Sequence, residues 1–83
     1  MRQNDIQGTV KDYILRELLP GEAPSELTDS TPLITGGILD SLVTLKLVVF
    51  LEETYGMTFE AHEVTVENLD TIDVITSFVA SKL

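Results

Sequence analysis

Three kinds of side chain in this sequence are equipped for chemistry: the hydroxyl of Ser41, the single imidazole of His62 and a scatter of carboxylates. Ser41 stands in Gly36-Gly37-Ile38-Leu39-Asp40-Ser41-Leu42, directly ahead of a long apolar-periodic run. A hydroxyl at a helix start has two uses. Its oxygen accepts from a backbone amide two or three residues on and caps the helix. Alternatively it points outward, where a phosphate on it is stabilised by the same helix end. Asp40 faces a parallel choice. It is the cap itself, with Ser41 the first helical residue, or a carboxylate that helps hold the metal ion of an enzyme transferring phosphate-type groups to Ser41. The paired glycines read as a flexible approach that displays the serine.

The other candidates are weaker. A Ser41/His62/Asp hydrolase triad lacks the Gly-x-Ser-x-Gly elbow, which nearly excludes an esterase. One histidine on a loop reads as a surface residue. Zinc would need carboxylates for nearly all its ligands. Glu60, Glu63 and Glu67 suggest a loose calcium site, but the EF-hand spacing with its central glycine is missing, and a solvated acidic face is the better reading. With no cysteine, the chain has neither disulfides nor thiolate metal sites. No metal site is expected.

The elements that must position Ser41 follow from periodicity. Ile6, Val10, Ile14 and Leu18 recur every four residues and predict a first helix over about Gln3–Leu19, capped by Asn4 or Asp5 and stopped by Pro20-Gly21. Residues 20–40 hold all three prolines and read as an ordered loop pinned by Leu27, Leu33, Ile34, Ile38 and Leu39. A second helix is predicted over Ser41–Tyr55, with Leu42, Leu45 and Val49 on one side and Leu47, Phe50 and Leu51 on the neighbouring side. Gly56 suits its left-handed cap position. Glu52 and Glu53 near that end oppose the macrodipole, which points to a surface role. Met57-Thr58-Phe59 reads as extended with two residues inward, and 63–69 as at most two helical turns. A last helix runs from Thr71, its cap, to about Lys82, with Ile72, Ile75, Phe78 and Val79 inward. Tyr13 and Tyr55 read as core edges. The predicted fold is all-α: a small four-helix bundle of three longer helices and one short one.

Composition bounds the function. The 83 residues suggest one domain, 1–83, which buries only roughly 60–65% of its unfolded surface and leaves little room for a deep cleft. A hydrophobic content of 43% argues against disorder. A net charge of -9 argues against nucleic acid and anionic membranes as partners. It serves solubility, or steers partners with basic patches. The polar start shows no leader and no apolar run is long enough to span a bilayer, so the expected location is cytoplasmic.

Gly37-Ile38-Leu39-Asp40-Ser41-Leu42 resembles the attachment motif of acyl and peptidyl carrier proteins. The similarity extends to Pro32-Leu33-Ile34, to Leu51-Glu52-Glu53 with Tyr55-Gly56, and to Val66-Glu67-Asn68-Leu69 with Thr71-Ile72. It spans roughly residues 5–82, in order. The resemblance implies a carrier with no catalysis of its own. Ser41 would be esterified with 4'-phosphopantetheine from coenzyme A by a phosphopantetheinyl transferase, with Asp40 supporting. The arm's thiol would carry an aminoacyl or small acyl cargo as a thioester, loaded by an adenylating ligase or acyltransferase and passed to downstream enzymes of nonribosomal peptide or polyketide biosynthesis.

Fatty-acid-type members resemble this chain but carry acids two and five residues after the serine, where Val43 and Lys46 stand here. That departure looks like a free-standing peptidyl-type carrier of secondary metabolism, with Leu42, Val43 and Lys46 as partner contacts, although Val43 is equally placed to be core. Phe50, Leu47, Phe59, Ile75 and Phe78 are expected in the core, and the bulk of Phe50 favours a short or polar cargo. The polar chain ends read as a discrete, monomeric carrier. Two rivals stand beside this reading. One is a D-alanyl, extender-unit or fatty-acid-type carrier. The other is a non-catalytic helical interaction module with Ser41 as a plain cap.

Overall fold

The apolar stripe of the first predicted helix is helical and faces inward. In the computed structural model, which describes residues 3–18 and 27–83, α1 spans Gln3–Tyr13 and continues as one π-helical stretch over Ile14–Leu18. Ile6, Val10 and Ile14 are completely buried, so the four-residue spacing marks the inward face as expected. Residues 4 and 5 lie inside the helix, so Asn4 and Asp5 are not its cap; Asp5 instead complements the positive end from the first turn. The π stretch has wider turns, and Leu18 is only half-buried. No feature of Ile14–Leu18 signals that widening. The predicted stop at Leu19-Pro20-Gly21, and Pro24, lie outside the described residues.

The remaining elements are α2 (Ser41–Tyr55), a 3₁₀ turn (Ala61–Glu63), α3 (Val66–Leu69) and α4 (Ile72–Lys82). The fold is a small all-α one, and no strand occurs among the described residues. α2 has the bounds its cap and Gly56 imply: Gly56 takes φ 62°, and its amide donates to the Glu52 carbonyl. The face it buries is set by Thr44, Leu47, Val48 and Leu51. The row on its other side, Leu42, Leu45 and Val49, stands in solvent. Both sides of α2 are apolar, so periodicity alone could not say which one turns inward.

Phe50 departs from its expected place in the core. It is half-buried at the seam with α1, its ring stacked on Tyr13 at 3.8 Å and 10°. It therefore does not fill the interior, and its bulk says nothing about cargo. Met57 and Phe59 point inward, as the extended segment requires, and Phe59 packs on a half-buried Phe78. Ile72, Ile75 and Val79 of α4 face Ile6 and Val10 of α1 in one core. Each fully buried aliphatic contributes about 1.5–3 kcal/mol.

Glu52 has a structural role that its position near a helix C-terminus concealed. Its Oε2 accepts from the Phe59 amide at 2.8 Å and ties the extended segment back to α2. Glu63 is engaged in the same way. The Glu63 side chain accepts from the Glu60 amide and from Lys82 Nζ at 2.7 Å, which closes α4 onto the 3₁₀ turn.

Candidate functional site

Ser41 is reached through a loop that the rest of the molecule holds. Leu27, Leu33 and Leu39 are buried and Ile34 is half-buried, as predicted, while Ile38 is turned outward. The backbone closes on itself: the amides of Ile38 and Leu39 both donate to the Leu33 carbonyl at 2.9 and 2.8 Å. The two glycines are requirements of this turn rather than a slack tether. A Cβ on Gly36 would collide with the Pro32 carbonyl oxygen, and Gly37 sits at φ 77°.

The anchor of the loop is Asp70, which lies 36 residues from Ile34. Its Oδ1 accepts from the Ile34 and Thr35 amides, each at 2.9 Å, and its Oδ2 accepts from the Thr35 hydroxyl at 2.9 Å. Its own carbonyl accepts from the Leu33 amide at 2.6 Å. Chiefly the Thr35 amide, with the Thr35 hydroxyl and the Ile34 amide, holds the Asp70 carboxyl below its ordinary range against the opposing effect of burial. One further bond, from the Asp73 amide to the Asp29 carbonyl at 3.0 Å, joins the loop to α4. Nothing local in the sequence marks Asp70 for this task.

The choice between Asp40 and Ser41 as cap is resolved by distances. Asp40 is extended (φ −85°, ψ −178°), and its Oδ1 accepts from the Val43 amide at 2.8 Å. The Asp40 carbonyl accepts from the Thr44 amide and, at 2.7 Å, from the Thr44 hydroxyl. Asp40 is thus the N-cap and Ser41 the first helical residue. The Ser41 side chain is exposed and makes no hydrogen bond among the described residues. A plain capping role for Ser41 is therefore overturned.

A groove of about 460 Å³ opens beside Ser41 between the start of α2 and α3. Its walls are apolar, from Leu39, Leu45, Val64, Val66 and Leu69, with Asp40 and Ser41 at its margin. That volume is in the range of small-molecule sites. Of the other residues singled out, Leu42 and Lys46 are exposed on α2, while Val43 is half-buried against the core. His62 is exposed on the 3₁₀ turn and makes no hydrogen bond to Ser41. Glu60 and Glu63 are joined in a capping box. No group of three metal-ligating side chains gathers among the described residues. No helix among them is long and apolar enough to cross a membrane.

The chain matches no protein-family model and no curated protein.

Proposed function

We propose that the chain is an acyl or peptidyl carrier, modified at Ser41 with 4'-phosphopantetheine. The observation that carries this reading is the division of labour at the start of α2. Asp40 spends its carboxylate on the cap, and the adjacent hydroxyl is left exposed and unbonded. The residues fit the group: Ser41 offers an ester-forming oxygen at a helix start, where a phosphate is favoured. The cofactor would supply the thiol that this cysteine-free chain lacks.

The chain's own work is to bind, orient and present. The loop over 33–39 fixes the Cα of Ser41. The apolar walls beside it offer a surface for an apolar part of the arm or its cargo to lie against. A thioester is an activated acyl group, and tethering raises its effective concentration at each partner. The groove's size and apolar lining support a small acyl or aminoacyl cargo. The partners in this reading are a phosphopantetheinyl transferase, an adenylating ligase or acyltransferase, and downstream enzymes of peptide or polyketide biosynthesis in the cytoplasm. They would meet Leu42, Val43 and Lys46 on the way to Ser41. The chain itself catalyses nothing.

The test is a mass measurement. The protein is incubated with coenzyme A and a promiscuous phosphopantetheinyl transferase. The expected product carries one phosphopantetheine, and Ser41→Ala carries none. No adduct on the native chain, or an adduct that survives Ser41→Ala, would sink the reading. A second reading, a helical interaction module, is favoured by one observation: the exposed row of Leu42, Leu45 and Val49. Binding of a partner by a chain that never accepts the cofactor would support it.

A further inference from the structure

Leu33 joins two sets of hydrogen bonds. Its amide donates to the Asp70 carbonyl at 2.6 Å, and its carbonyl accepts from the amides of Ile38 and Leu39. Leu39 stands two residues before Ser41 and, like Leu33, has its side chain buried. Inside this turn the Gly37 amide donates to the Ile34 carbonyl at 3.1 Å, so the stretch over 33–39 is closed twice.

Asp70 is itself held from both sides. It ends α3 in a helical conformation (φ −74°, ψ −28°), its amide donates to the Val66 carbonyl, and the next residue is Thr71, the cap of α4. From that joint its two carboxylate oxygens take three donors, the amides of Ile34 and Thr35 and the Thr35 hydroxyl. Bonds to a charged acceptor are roughly twice as strong as neutral ones. The Ser41 hydroxyl makes no bond of its own among the described residues. Its place is set by backbone: by α2 after it and, before it, by a turn that Asp70 holds.

We propose that Asp70 is a positioning residue for group transfer onto Ser41, acting through Leu33, Ile34 and Thr35 without touching the hydroxyl. This role rests on the carrier reading. In the transfer, a bond forms between the Ser41 oxygen and a phosphorus of coenzyme A while the oxygen bridge between its two phosphates breaks. The hydroxyl proton goes to a base of the transferase, and the nucleotide part leaves with the bridging oxygen and its electron pair. A hydroxyl that has to meet one phosphorus in line is sensitive to placement, and a displacement of about 1 Å can cost about a hundredfold in rate. Thr35 acts with Asp70 as a unit, because its amide and its hydroxyl both bind the carboxylate.

Asp70→Ala removes all three side-chain bonds. Asp70→Asn can keep them, its amide oxygen accepting from both backbone amides and its NH2 donating to the Thr35 hydroxyl. Transfer by a promiscuous phosphopantetheinyl transferase is followed at a temperature where every variant is folded. Asp70→Ala is expected to lower kcat about tenfold or more, with KM for the chain unchanged because the exposed residues of α2 are untouched. Asp70→Asn restores most of the rate. Thr35→Val slows transfer about threefold, the scale of one hydrogen bond, and adds nothing in the Asp70→Ala background. Thr71→Ala, which weakens α4 from the neighbouring residue, keeps the native rate. Hydrogen exchange supplies a readout free of the transferase. In Asp70→Ala the Ile38 and Leu39 amides speed up more than those of Leu47, Val48 and Leu51, whereas a loss of global stability alone speeds all five alike.

A native kcat in Asp70→Ala, an equal slowing in Thr71→Ala, or an even rise in exchange across the five amides would each overturn the role given to Asp70 and leave the carrier reading intact. If Asp70→Ala does not fold, Thr35→Val decides: a native rate with native exchange at Ile38 and Leu39 overturns the role. A native chain that takes up no phosphopantetheine overturns the carrier reading, and this role with it.

Discussion

α2 and α4 begin with the same chemistry arranged in two ways. At α4 the hydroxyl is the cap: Thr71 is extended, and its Oγ1 accepts from the Val74 amide at 3.1 Å. At α2 the carboxylate of Asp40 is the cap, accepting from the Val43 amide at 2.8 Å, and the hydroxyl comes one residue later. Thr71 is half-buried and occupied, whereas Ser41 is exposed and unoccupied. A shift of one position along the chain thus decides whether a hydroxyl holds a helix together or is free to react.

The contrast breaks most sharply at Ser41 itself. In the carrier reading, Ser41→Ala is expected to abolish attachment completely by intact mass, while changing stability by no more than about 0.5 kcal/mol, because the side chain makes no hydrogen bond among the described residues. Next in size are the two caps. Asp40→Ala and Thr71→Ala should each cost about 1 kcal/mol, or about 4–8 °C in the melting temperature of a domain this small. In the carrier reading, attachment rates are expected to separate them: Thr71→Ala should be modified at the native rate, and Asp40→Ala more slowly. If Thr71→Ala slowed attachment equally, the difference between the two helix starts would be illusory.

A subtler change is Asp40→Thr, which keeps a cap but removes the carboxylate. Stability should fall by only about 0.5 kcal/mol. A slowed transfer would then assign the carboxylate a part in the transferase step beyond capping, and a native rate would confine it to the cap.

The smallest effect concerns pH. The Asp70 carboxyl lies below its ordinary value of 3.8 in the folded chain, and that of Glu63, held chiefly by the Lys82 hydrogen bond and then the Glu60 amide, lies below 4.5. At pH values between the folded and unfolded values, the unfolded chain binds more protons, so stability rises with pH there. The contribution is present above the unfolded values and is lost as pH falls through the folded ones. Chemical denaturation followed from pH 6 down to about 2 should show this decline, and Asp70→Asn should make it shallower. An identical slope for the variant would remove Asp70 from the account.

Much of this molecule was legible in the sequence where the deciding interaction is local. Asp40, Gly56 and Thr71 act within four residues of themselves, and the bounds of α2 and the cap of α4 were read from them. The stripe Ile6-Val10-Ile14 declares its own inward face because the opposite face is polar. α2 has no polar face to contrast, so the outward turn of Leu42, Leu45 and Val49 awaited the packing of Leu47, Val48 and Leu51. The partners of Asp70 and of Glu52 are fixed by the fold and have no signature at either residue. The glycines before Ser41 were visible, but the reasons for them were not: one is a close approach to Pro32 and the other a positive φ. At the site itself, the motif pointed to Ser41, and the geometry added that Asp40 frees it.

Asp70 makes the stretch before Ser41 and the first turn of α4 a single mechanical piece. A tug on Ser41 runs through Leu33, Ile34 and Thr35 into Asp70 and from there into the C-terminal helix, bypassing the body of α2. In the carrier reading the arm then swings from a fixed mount. The volume that its tip sweeps has a definite centre, and its length, rather than a wandering loop, sets how far a partner's active site can lie from the protein.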